Sequence, residues 1–136
     1  KEIDSLFKLK KKQEEYLEVL MLKNCPNITA VAGALIGARL MAIAGDLKRL
    51  MEFPSSTVQL LGAEKALFRH MRNKKSLPPK YGILHEHPIV AKAPKKLKGK
   101  AARALADKIS LASKVDYFKG DFIGDKLRKN VEDRFS

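Results

Sequence analysis

Three histidines, one cysteine and a scattering of hydroxyls are the residues on which covalent or metal chemistry would have to rest. His85, Glu86 and His87 are the tempting set. Two ligands at i and i+2 converge on one metal only from an extended segment, and a third is needed. His70 and the lone Cys25 lie elsewhere in the sequence and the HExxH spacing is absent, so a metal is not expected. Ser55, Ser56 and Thr57 lack the strand–turn–helix setting of a nucleophile elbow and read as turn chemistry. The acids are dispersed, mostly beside lysines, with no paired-carboxylate arrangement. No catalytic residue and no cofactor is expected.

Cations are another matter. The chain carries 28 Lys and Arg against 15 Asp and Glu, a formal charge of +13, and the excess is concentrated. Residues 61–100 hold eleven Lys/Arg and two Asp/Glu, which alone supplies +9. A segregated field of this kind attracts polyanions and releases counterions on binding, whereas a merely solubilising surface interleaves both signs. Within this stretch Gly62 is placed to cap a helix, leaving the N–H groups of Ala63, Glu64 and Lys65 outward. Lys65, Arg69 and Arg72 then share a face, with Ala66, Leu67, His70 and Met71 turned toward the core. A helix start flanked by cations suits phosphate. Lys74, Lys75 and Lys80 follow in a loop stiffened by Pro78 and Pro79, and Lys95 to Lys100 approach a further helix. Tyr81, His85 and His87 are candidates for stacking on unpaired bases, while Phe68 is expected in the core. No helix-turn-helix, zinc-finger or RRM pattern is present, so RNA is favoured over DNA sequence readout. A protein-binding adaptor for an acidic partner is the competing reading.

These residues need elements to hold them. The abundance of Ala and Leu, 7% aromatics and no Trp predict an all-α fold. Residues 1–23 contain no Gly or Pro and space Leu6, Leu9, Gln13, Tyr16 and Leu20 as a short a/d seam. They are read as the remnant of a coiled-coil arm, with one compact domain over 24–136. Asn27 or Thr29 is expected to cap a helix running from about Ile28 to Ala44, whose glycines at 33 and 37 admit a close neighbour. The segment Ile28–Leu47 has about the length of a membrane span, but Arg39 near its centre argues for a buried helix and no membrane. A short helix at Leu47–Met51 and a loop at Ser55–Thr57 come next. Residues 83–90 are expected to be extended or irregular. A long helix at about Ala101–Val115 has the stripe Leu105, Ile109 and Ala112, and a last helix spans Asp125–Phe135. A single cysteine points to a reducing compartment.

The runs NITAVAGALIGARLMAIAGDLKRL, PSSTVQLLGAEKALFRHM, PPKYGILHEHPIV and GKAARALADKISLASKVDYF, in that order, closely resemble the Nop domain, above all its archaeal representative in box C/D ribonucleoproteins. GAEKALF at Gly62–Phe68 is the most specific of them. The resemblance implies a domain that joins a kink-turn guide RNA to the small ribosomal-protein-like protein already bound to it, within a scaffold supporting guide-directed 2′-O-methylation. It implies RNA contact by Ala63, Glu64, Lys65 and Arg69, with Arg72, Lys74 and Lys75 adjoining. RNA or partner contact is implied for Pro78, Pro79, Lys80, Tyr81, His85 and His87. A spliceosomal relative has Gln where Glu64 stands, so the charge there is not required. The family recruits the methyltransferase fibrillarin through a separate N-terminal domain and self-associates through the coiled coil. Neither that domain nor the outgoing helix of the arm is found here, so this segment is expected to do neither by itself. The implied location is cytoplasmic for an archaeal protein and nucleolar for a eukaryotic one.

Overall fold

The computed structural model describes residues 2–77, 79 and 82–135. Among them are nine α-helices and one 3₁₀ turn, with no strand: α1 (Glu2–Asn24), α2 (Pro26–Ala32), α3 (Ala34–Ala44), α4 (Leu47–Glu52), α5 (Ser55–Leu60), α6 (Glu64–Arg72), the 3₁₀ turn (Ile83–Glu86), α7 (Pro88–Lys92), α8 (Lys98–Tyr117) and α9 (Gly124–Phe135). The all-α expectation holds.

The long α8 is the axis of the domain. Ala101, Ala102, Ala104, Leu105, Ala106, Ile109 and Ala112 are all buried along it, well beyond the one-sided stripe read from the sequence. Small side chains around much of its circumference let neighbouring helices approach closely, and α2, α4, α5 and α9 pack against it. Ile28, Leu40, Leu50, Val58, Leu84 and Val90 complete one continuous core from the surrounding elements.

The single helix expected over 28–44 is in fact two. Gly33 has φ +89°, a left-handed conformation that side chains rarely adopt, and the chain turns by 114° there between α2 and α3. No single described helix is long and apolar enough to cross a membrane. Gly37 permits the predicted close approach, since a Cβ there would lie 2.9 Å from Ile28 Cγ2, but a Cβ on Gly33 would have no neighbour within 4 Å, and Gly33 serves the turn instead. Neither Asn27 nor Thr29 caps α2. The cap position is Cys25, without a side-chain bond, and Pro26 opens the helix. The open backbone donors are taken from afar: the buried Asp116 accepts from Asn27 N at 3.1 Å and from Ile28 N at 2.9 Å.

Two more expectations are corrected. Ser55, Ser56 and Thr57 begin α5 rather than forming a loop, because Pro54 at the cap position sets the chain up for a helix. Residues 83–90 are not extended but form the 3₁₀ turn and the start of α7.

Candidate nucleic-acid interface

α6 is held outside the body of the domain. None of its residues is buried, and among the described residues it has no substantial packing against another element. Its root explains how it can project and still be positioned. The strands of chain entering and leaving the excursion lie side by side, with Gly82 N–H donating to Gln59 O at 3.1 Å and Ile83 N–H to Leu61 O at 2.8 Å. Two glycines make that approach feasible. A Cβ on Gly62, at φ +93°, would fall 2.7 Å from Ile83 Cγ1, and one on Gly82 would fall 2.0 Å from Leu61 O. Leu61 and Ile83 themselves are buried and tie the neck to the core.

The expected cap lies one residue later than read from the sequence. Ala63 is the cap residue and brings no side-chain acceptor, while its own N–H is already donated to Leu60 O at 2.9 Å. The first helical turn therefore begins at Glu64, not at Ala63. Glu64 turns its carboxylate back onto the neck, where Oε1 accepts from Gly62 N–H at 3.0 Å. A Gln amide oxygen can accept the same bond, which fits a neutral residue at this position.

Lys65, Arg69 and Arg72 are exposed and lie at i, i+4 and i+7, one face of α6. No carboxylate lies within ion-pair distance of them among the described residues. The turn after the helix is ordered by Asn73, whose Oδ1 accepts from Lys75 N–H and whose carbonyl accepts from Ser76 N–H and Oγ. His70 bonds to Ser76 O at 2.8 Å through Nδ1, so that nitrogen carries the proton. Lys74 and Lys75 are thus presented as a continuation of the cationic face.

Phe68 overturns its expected place. It is 58% exposed, and Met71, also expected inward, is 66% exposed. An amphipathic helix raised on a neck has no core beneath its apolar side, so Phe68 and Met71 form an uncovered apolar face beside the cations. Leu77, after the turn that follows the helix, is 88% exposed as well. Amphipathic periodicity predicts an apolar side of this helix, and the structure turns that side to solvent instead of to the core.

The histidines divide. His85 is exposed at the base of the excursion. His87 is 1% exposed: Nε2–H donates to Val31 O at 3.0 Å, and Nδ1 accepts from Ile89 N–H as the cap of α7. Burial is the main cause that holds its pKa below the ordinary histidine value. His87 is therefore a core group and leaves the set of expected contacts. Glu86 pairs with Arg39 of α3. Among the described residues no group of three or more His, Cys, Asp or Glu side chains converges as for a metal. Pro79 is half-buried, whereas Pro78, Lys80 and Tyr81 lie outside the described residues.

The Nop family model, described as a snoRNA binding domain, fibrillarin, matches residues 1–136. The chain is 48% identical over 136 residues to an uncharacterized NOP5 family protein of Methanocaldococcus jannaschii, covering 97% of this chain and 32% of that protein. It is 42% identical over 135 residues to Nucleolar protein 56 of Homo sapiens, covering 97% of this chain and 23% of that protein. A crystal structure of a fibrillarin/Nop5p complex matches with a TM-score of 0.76 at 34% identity, over 98% of this chain and 49% of that one. The chain thus spans about a third or less of the length of these curated relatives.

Proposed function

The chain belongs to the Nop domain family, and from that membership we propose that it is the RNA-binding domain of a box C/D ribonucleoprotein scaffold, recognising the joint surface of a kink-turn RNA and the protein bound to it. The observation that carries this reading is the composition of α6. One face offers Lys65, Arg69 and Arg72 to a phosphate backbone, and the adjoining face leaves Phe68 and Met71 without cover. Charge supplies affinity for any RNA, and an apolar face supplies a contact that naked RNA meets poorly. A helix with both faces open suits a ligand that is part nucleic acid and part protein. The domain contributes binding, and 2′-O-methylation belongs to the fibrillarin-containing assembly.

The test is a gel-shift series with a kink-turn RNA, alone and carrying its kink-turn-binding protein. The RNA–protein complex should shift at concentrations where the naked RNA barely moves. Lys65→Ala and Arg69→Ala should each weaken that shift and flatten its salt dependence by about one phosphate contact. Phe68→Ala should weaken it without changing the salt slope. All three residues are exposed, so unfolding free energies should stay within the range of ordinary surface substitutions, about ±0.5 kcal/mol. Equal affinity for naked and protein-bound RNA would sink composite recognition. Binding to an acidic protein with no RNA requirement would favour the adaptor instead.

A further inference from the structure

A second cationic surface lies away from α6. Lys96, Lys100 and Arg103 line one wall of an open groove of about 560 Å³, and Ser55, Ser56 and Gln59 of α5 line the other. Among the described residues, no acidic one lines it. All three cations are exposed, and none forms an ion pair with a carboxylate among the described residues. Their neighbour Lys98 behaves differently, with Nζ donating to Val90 O at 3.2 Å and Ala91 O at 2.8 Å. That lysine closes the end of α7, while those on either side stay available. The cationic surface continues past Lys100 and Arg103 into a second depression, where Arg134 joins and Asp107 is the acidic member.

Resting on the proposed RNA reading, we infer that this groove between α5 and the start of α8 is a second phosphate-backbone site, which holds the same RNA that α6 engages. Position supports the link. α5 runs from the groove to the neck of α6, so Gln59 and Glu64 are five residues apart and separated by no more than about 18 Å of chain. At about 3.4 Å per base step, that upper limit is about five base pairs, or half a turn of duplex, so one RNA can reach both. Guanidinium and ammonium groups facing serine hydroxyls give charge-assisted and neutral donors around one anion path, the pattern of backbone contacts that position a nucleic acid without reading its sequence.

The experiment compares the triple variant Lys96→Ala/Lys100→Ala/Arg103→Ala with the α6 pair Lys65→Ala/Arg69→Ala. The probe is a kink-turn RNA with its kink-turn-binding protein, titrated over a range of salt. The triple variant should melt like the parent and bind the complex more weakly. Its plot of log affinity against log salt should flatten by about two to three, at about 0.7–0.9 per lost contact. If the α6 pair flattens the slope and the triple variant does not, RNA does not touch the groove, and the reading of α6 survives. If neither variant changes the slope, both are overturned. If the triple variant instead loses binding to the partner protein in the absence of RNA, the groove faces an acidic protein surface and the inference fails.

Discussion

Asp116 does at the residue scale what no local sequence pattern would assign to it. It closes the start of α2, accepts from Asn27 Nδ2 at 2.8 Å, and leaves Asn27 Oδ1 to take Ile123 N–H at 2.7 Å ahead of α9. One buried carboxylate and one buried amide thereby fasten three helices. In Asp116→Ala the N–H groups of Asn27 and Ile28 lose their acceptor, and each buried donor left open costs about 1–3 kcal/mol. Chemical denaturation should show a loss of at least that size, with Asp116→Asn recovering part of it. Beside it, Cys25 is 2% exposed, and burial first, then the Asp116 charge, push its thiol up to about 11, well away from a reactive thiolate. Burial moves His87 in the opposite direction and so sets a pH dependence. Its folded pKa lies below the ordinary 6.5, so as pH falls through that value the unfolded chain takes up the proton first. The His87 contribution is complete above 6.5 and is lost progressively below it. Melting between about pH 7.5 and pH 5.5 should show an acid-side decline that His87→Gln reduces, and an unchanged slope in that variant would assign the decline elsewhere.

At the scale of elements, the neck of α6 is the part on which binding should turn. Gly82 is needed less for its dihedral angles than for space, since a Cβ there would sit 2.0 Å from Leu61 O. Gly82→Ala must force the two chain segments apart and break the bonds from Gly82 N–H and Ile83 N–H. The core around α8 does not depend on α6, so the expected outcome is a domain that still unfolds cooperatively but has lost its grip on the RNA–protein complex. Hydrogen exchange should then rise across 62–83 and stay slow in α8. Uniform loss of protection would mean that the excursion and the core are one cooperative unit.

The whole molecule is a compact body with a free helical arm. Leu17 and Met21 seat the end of α1 against the core, but Ile3, Leu6, Phe7, Leu9 and Tyr16 are each more than half exposed. The seam Leu6, Leu9, Tyr16 and Leu20 thus faces solvent instead of folding back on the domain. The unpacked part, residues 2–16, is about the length at which an isolated helix is marginal in water. In dilute solution, amides of residues 2–16 should exchange far faster than those of the buried α2 and α8. Raising the concentration should slow them only if two copies of the chain pair through the arm. Protection equal to the core in a dilute monomer would contradict this picture.

Some of this was readable from composition and order alone. Helix-forming residues without strand-like alternation dictate an all-α fold, the excess of cations in 61–100 marks the basic segment, and GAEKALF carries the family. Such features are local or additive, and need no knowledge of which segment meets which. Other features exist only once the chain has folded. Periodicity shows that Phe68 and Met71 share a face, but only the neck built by Gly62 and Gly82 decides that this face looks outward. Likewise, nothing around Asp116 in the sequence indicates the start of α2, 88 residues away, and His87 is indistinguishable from His85 until one is buried. The groove joins Ser55 to Arg103 because α5 packs along α8. Each of these is a contact between distant segments, where burial and hydrogen-bond completion are settled by packing and not by the neighbours along the chain.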